Sequence, residues 1–114
     1  MLALILILSF LLRILGLNWD QGFHLHPDER FLTMVGIAMK TQGSFIEYLD
    51  PAVSSMNPAN VGFPFFVYGL FPLTLNKVLA VFFKNDTYEV FNLQGRVLSA
   101  FVDVIAIFII FFLS

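Results

Sequence analysis

Apolar residues run almost without a break from Met1 to Leu17, interrupted only by Ser9, Arg13 and Gly16. At 1.5 Å of helical rise per residue the run covers roughly 25 Å, short but sufficient for a membrane-spanning helix. A cleaved signal peptide would carry its basic residue ahead of the apolar stretch. Here Arg13 lies inside it, so a retained span is the preferred reading. Asn18, Trp19 and Asp20 follow where an interfacial aromatic and the first polar residues belong. A second apolar run, 92–114, is long enough to cross about 30 Å of hydrocarbon.

Between these runs, residues 18–91 are too long and too patterned for a passive linker. Pro27 suits a first helical position, Asp28 and Glu29 fall in the first turn, and Gly43 offers an end. The spacing predicts an amphipathic helix over 27–41, with Phe31, Met34, Val35 and Ala38 on one face and Arg30, Thr33 and Lys40 largely off it. Asp50-Pro51 and Asn57-Pro58 then break the chain into turns. Residues 62–83 are apolar enough to span, but Pro64, Gly69, Pro72, Asn76 and Lys77 favour an interfacial or re-entrant helix over a third span. The expected fold is therefore all-α and integral to a membrane. Two transmembrane helices (1–17 and 92–114) flank a long loop (18–91) with amphipathic juxtamembrane helices at 27–41 and 62–83.

Composition sharpens that picture. Only 12% of the 114 residues are charged and 59% are apolar, against about 25% charged in soluble domains. Six basic and eight acidic residues give a net charge of −2 without a polybasic tract, which disfavours a nucleic-acid binder. With no cysteine, disulfides, thiolate nucleophiles and cysteine metal sites are excluded as well. The loop holds four basic and seven acidic residues, so the positive-inside tendency places it outside the cytoplasm. Because the last apolar run reaches Phe111-Phe112-Leu113-Ser114 without a flanking charge, the chain is expected to be part of a larger membrane protein.

Candidate chemistry concentrates between Trp19 and Arg30, where three carboxylates and two imidazoles follow the first apolar run. At a helix N-terminus the macrodipole and free backbone N–H groups keep Asp28 and Glu29 ionised, and Asp28 could accept a proton from a hydroxyl nucleophile. Ordinary helix capping explains the same pair and is the simpler reading of that feature taken alone. His24 and His26 lack a third ligand, so solvated or interfacial histidines are preferred to a metal site, and no metal ligand is assigned. Asn85-Asp86-Thr87 fits the N-glycosylation pattern, which matters only in a eukaryotic secretory setting. Arg13 and Asp103 fall at a common depth of roughly 10 Å if the two runs are antiparallel helices. An unpaired charge there costs about 2.5–3.5 kcal/mol, so an ion pair between them is expected, with a relay role for Asp103 as the rival.

Several motifs in order carry a resemblance. A transmembrane run, a Trp-Asp turn, His26-Pro27-Asp28-Glu29-Arg30-Phe31 opening an amphipathic helix, Asn57-Pro58 and Phe63-Pro64-Phe65-Phe66-Val67-Tyr68, and Gly95-Arg96-Val97-Leu98-Ser99-Ala100 opening the next span cover nearly the whole chain. Together they resemble the N-terminal part of polyprenyl-phosphate-dependent glycosyltransferases: the family 39 protein O-mannosyltransferases and the lipid A aminoarabinose transferases, which share the multi-spanning GT-C fold. The resemblance implies an enzyme that takes a sugar from a polyprenyl-phosphate donor and gives it to an acceptor protein, lipid or glycan on the extracytoplasmic side. It implies Asp28 as general base and Glu29 as an acceptor-binding or orienting group. Arg96 would hold the donor phosphate bidentately, with interfacial snorkelling as the rival reading.

One departure bears on the acceptor. Where protein O-mannosyltransferases often carry His-Pro-Pro, residues 57–64 read Asn-Pro-Ala-Asn-Val-Gly-Phe-Pro, so the acceptor stays open and a prokaryotic plasma membrane is preferred to the endoplasmic reticulum. No cofactor is assigned, and a divalent metal stays open. Two spans and a loop cannot enclose both donor and acceptor, so the chain by itself is expected to be inactive. The competing class is a small non-enzymatic membrane protein whose interfacial helices bind a partner or lipid. A weaker third reading is a transporter fragment using Arg13 and Asp103 as intramembrane charges.

Overall fold

The computed structural model describes residues 1–113, and within them the chain is helical without strands. Helix α1 (Leu2–Ile14) forms from the first apolar run but covers 13 residues, about 20 Å of rise. It ends because Leu15 turns extended and Gly16 takes a φ of +73°, a backbone state that favours glycine. The helical part of the expected 1–17 run is therefore 2–14, apolar and shorter than the ~20 residues of a typical bilayer crossing. Helix α5 (Tyr88–Leu113) is the one helix among the described residues that is long and apolar enough to do so, with a mean hydropathy of 2.5 over its most apolar window. It begins four residues before the expected start at Asn92.

Helix α2 (Pro27–Ala38) opens as its sequence suggests, with Pro27 in its first turn. The N-cap is His26, whose Nδ1 accepts from the Glu29 N–H at 3.4 Å. The helix stops at Met39, well before Gly43. Beyond it the Lys40 N–H donates to the Ser55 carbonyl at 3.2 Å and the Ser55 hydroxyl to the Lys40 carbonyl at 3.0 Å, drawing the chain aside. The buried face is rotated from the expected one. Thr33, Val35 and Gly36 are buried, whereas Met34 is exposed. Thr33 can be buried because its hydroxyl donates to the Glu29 carbonyl at 2.8 Å, which satisfies it within the helix. Gly36 is required by proximity, since a Cβ there would run into the Phe91 ring of α5.

The turn-rich stretch contains more structure than expected. A short helix, α3 (Phe45–Leu49), is capped by the Ser44 hydroxyl, which accepts from the Ile46 N–H at 3.2 Å. A 3₁₀ turn (Pro58–Val61) follows, and the Asn57 and Asn60 amides tie it back to the Pro51 carbonyl at 2.8 and 3.0 Å. Residues 63–69 are non-helical, so the expected 62–83 helix shortens to α4 (Leu70–Phe82). Pro64 and Gly69 are the breakers.

The core is small and lies where α2, α4 and α5 meet. Val35, Met39, Met56, Leu73, Ala80 and Phe91 form it, with Phe31, Phe63 and Phe66 packed at its edge. Asn76 on α4 donates to the Phe91 carbonyl at 3.1 Å and accepts from Gln94 at 3.0 Å, joining α4 to α5. Helix α1 packs along α5 through the Phe10–Phe101 edge contact, 6.3 Å between ring centroids, and through Arg13. None of its residues is buried.

Candidate functional site

The site is organised around Arg96, in the third turn of α5. Its five N–H donors are all used within the chain. Nε and Nη2 donate to the two oxygens of Glu29 at 2.6 and 2.8 Å, a bidentate fork. Nη1 and Nη2 donate to Asp20 at 3.1 and 2.8 Å, and Nη1 also reaches the Leu17 carbonyl at 2.6 Å. The guanidinium carbon lies 5.6 Å from the Trp19 ring centroid, within cation–π range.

Each carboxylate is delivered by local structure. Asp20 sits in the turn that follows α1, where its side chain accepts from the Gly22 N–H and its carbonyl from the Phe23 N–H at 2.9 Å. The turn places Gln21 and His24 at positive φ and buries Asp20 to 2% exposure. The Arg96 guanidinium, with the Gly22 and Leu25 amides, holds the Asp20 carboxyl down at about 2 against the opposing effect of burial. Glu29 stands three residues after the His26 cap, on the side of α2 that meets α5.

This arrangement changes the expectation for Arg96. Two carboxylates surround one guanidinium, so the cluster carries net negative charge and no donor is left for a phosphate. Glu29 is likewise committed to Arg96. Asp28 is exposed, and its one identified partner is the Tyr68 hydroxyl, whose pKa the carboxylate raises by accepting its proton in a hydrogen bond. Tyr68 is held by ring contacts with Phe31 and Phe66 at 6.0 and 5.8 Å between centroids. The sequence includes Tyr68 in the 63–68 motif but gives it no role, because that segment returns to α2 only in three dimensions.

Glu29, Tyr68 and Arg96 lie on the wall of a cavity of about 850 Å³ between α2, α4 and α5. Most of its lining is apolar, including Leu32, Phe71, Leu73 and Leu98. The buried Asn92 amide also lines it, with its Nδ2 unpartnered.

Of the remaining candidates, Arg13 and Asp103 line the same cavity. Arg13 Nε donates to Asp103 Oδ2 at 3.1 Å, so the structure brings these two together, and Arg13 also bonds the Ser9 hydroxyl. Their side chains are 37% and 63% exposed. His24 is buried against the Tyr88 ring, 4.4 Å between centroids, with both ring nitrogens unpartnered, while His26 is the α2 cap. No group of three or more His, Cys, Asp or Glu side chains suited to a metal ion occurs among the described residues. The chain matches no protein-family model, no curated protein and no solved structure.

Proposed function

We propose that the chain is the N-terminal part of a membrane glycosyltransferase that moves a sugar from a polyprenyl-phosphate carrier to an acceptor hydroxyl on the extracytoplasmic side. The observation that carries this reading is the acidic first turn of α2 at the edge of an apolar groove. Glu29 lines the groove, and Asp28 beside it is exposed to an incoming acceptor. In this reading α1 lies in the bilayer beside α5 as a second, short membrane helix.

The chemistry is a displacement. Asp28 takes the proton of the acceptor hydroxyl as its oxygen bonds to the anomeric carbon, and the bond from that carbon to the carrier phosphate breaks. The polyprenyl phosphate leaves with the electron pair. Because phosphate is already a good leaving group, deprotonation and positioning dominate over acid catalysis. The Tyr68 hydroxyl donates to Asp28 and orients it. Glu29, held by Arg96, fixes the start of α2, and contact between Arg96 and the donor phosphate would require it to release a carboxylate first.

The test is Asp28→Asn in the intact membrane protein, assayed for transfer of labelled sugar from a polyprenyl phosphate. Transfer is expected to be lost while expression and membrane insertion stay unchanged, and near-normal turnover would sink the assignment. The saturated guanidinium of Arg96 favours the non-enzymatic reading as runner-up. An unsubstituted protein that transfers no sugar but binds lipid would favour it further.

A further inference from the structure

Helix α4 buries two polar residues beside its core residues Leu73 and Ala80 on its inner side and is apolar on its outer side. Inward stand Asn76 and Lys77. The latter is only 2% exposed, and its Nζ lies 2.7 Å from each oxygen of Asp86. Outward stand Phe71, Val78 and Phe82, spaced i, i+7 and i+11 on one helical face, with both phenylalanines 76% exposed. Against water the outer face is unfavourable, because it hydrates aromatic rings. Against hydrocarbon that sign reverses. The inner polar groups find protein partners in Asp86, Phe91 and Gln94, and the side chains of Phe71, Val78 and Phe82 bring no polar group to the outer face.

Position identifies the apolar medium. Asn76 lies beside Gly95 of α5, and Phe71 and Pro72 share the groove wall with Leu98 and Val102, just before the uninterrupted apolar run of α5 that starts at Val104. The exposed Phe71 is thereby set beside the exposed Val102 of the one helix able to cross a membrane. At the other end α4 runs into Lys84-Asn85-Asp86-Thr87, a polar turn with Lys84 at a φ of +59°. Thirteen residues rise about 20 Å, too little to span.

We propose that α4 is seated in the membrane without crossing it, its Phe71–Val78–Phe82 face in contact with lipid acyl chains and its Lys84–Thr87 turn at the headgroups. This assignment does not rest on the transferase reading. Lipid is favoured over a protein partner because the face carries no charge or hydrogen-bonding group to orient one, and because it extends the surface of α5.

The chain has no cysteine, so Phe71→Cys, Val78→Cys, Phe82→Cys and Lys84→Cys each accept a single nitroxide label. The labelled chains are reconstituted in phosphatidylcholine vesicles, and helical content is checked by circular dichroism. Collision with oxygen is expected to exceed collision with a water-soluble nickel chelate at positions 71, 78 and 82, and the ratio inverts at position 84. Chelate-dominated collision at 78 and 82 in helical protein would place the face in water and overturn the proposal. Labels immobilised and shielded from both reagents would show that protein covers the face, and would overturn it equally. Three independent outer positions keep the test open if one variant fails to fold.

Discussion

The two arginines on the α1–α5 side of the molecule meet their carboxylates in opposite ways. Arg96 is wrapped by groups from two other chain segments and uses every donor it has. Arg13 makes one ion pair with Asp103, and both partners remain open at the surface. The first is a junction that defines where the post-α1 turn, α2 and α5 sit relative to one another. The second ties only α1 to α5, and its strength depends on the medium around it. In water such an exposed pair contributes about 0–1 kcal/mol, whereas an unpaired charge in hydrocarbon costs about 2.5–3.5 kcal/mol.

Removing the junction should have the largest effect. Arg96→Ala leaves two neighbouring carboxylates without their cation, and breaking a buried pair of this kind costs about 3–5 kcal/mol. Thermal unfolding in detergent should show the loss, and faster hydrogen exchange in the first turn of α2 should locate it. A variant that unfolds like the parent would mean the junction does not organise this end of the molecule.

Asp103→Leu comes next and separates the two regions by medium. In lipid vesicles it should destabilise the chain by up to about 2.5–3.5 kcal/mol, and Arg13→Leu added to it should restore most of the loss. In a water-exposed setting the same substitution should change stability by no more than about 1 kcal/mol. Equal losses for the single and double variants would remove the pair from the account of α1 packing.

The smallest effect concerns acidity. Asp20 titrates at about 2 in the folded chain against an ordinary 3.8, so its ionised form is favoured by folding. Its contribution is fully present above pH 3.8 and is lost as pH falls toward 2. Carboxyl NMR shifts followed against pH should show Asp20 ionised to lower pH than Asp20 in an Arg96→Ala background. Coincident titrations would detach Asp20 from Arg96.

The comparison also shows what could be read from the sequence. Arg13 and Asp103 lie on two helices, where residue offsets convert directly to depth, and the structure pairs them at 3.1 Å. The resemblance assigns Arg96 to the donor phosphate, with snorkelling as the rival, and neither reading finds its partners Leu17, Asp20 and Glu29, which lie 67 to 79 residues away with nothing local to announce their return. The start of α2 was legible from Pro27 and the acidic first turn. Its buried face was not, since Thr33 hides its polarity in a bond to its own helix and Gly36 is selected by the Phe91 ring. The first apolar run gave a helix of correct place and excessive length, as Gly16 acts as a breaker while leaving the hydrophobic pattern intact. The breakers in 62–83 leave a helix of 13 residues, and the inward Lys77 is invisible in sequence because Asp86 turns back to meet it.

The Arg96 junction has a consequence for biogenesis. Glu29 precedes its arginine by 67 residues, which at about 5–20 residues per second is roughly 3–13 s of synthesis. Through that interval the ribosome has delivered two acids that repel one another and no cation to hold them. The post-α1 turn and the start of α2 therefore lack their cation until the third turn of α5 emerges, and a helix made later closes an earlier part of the chain.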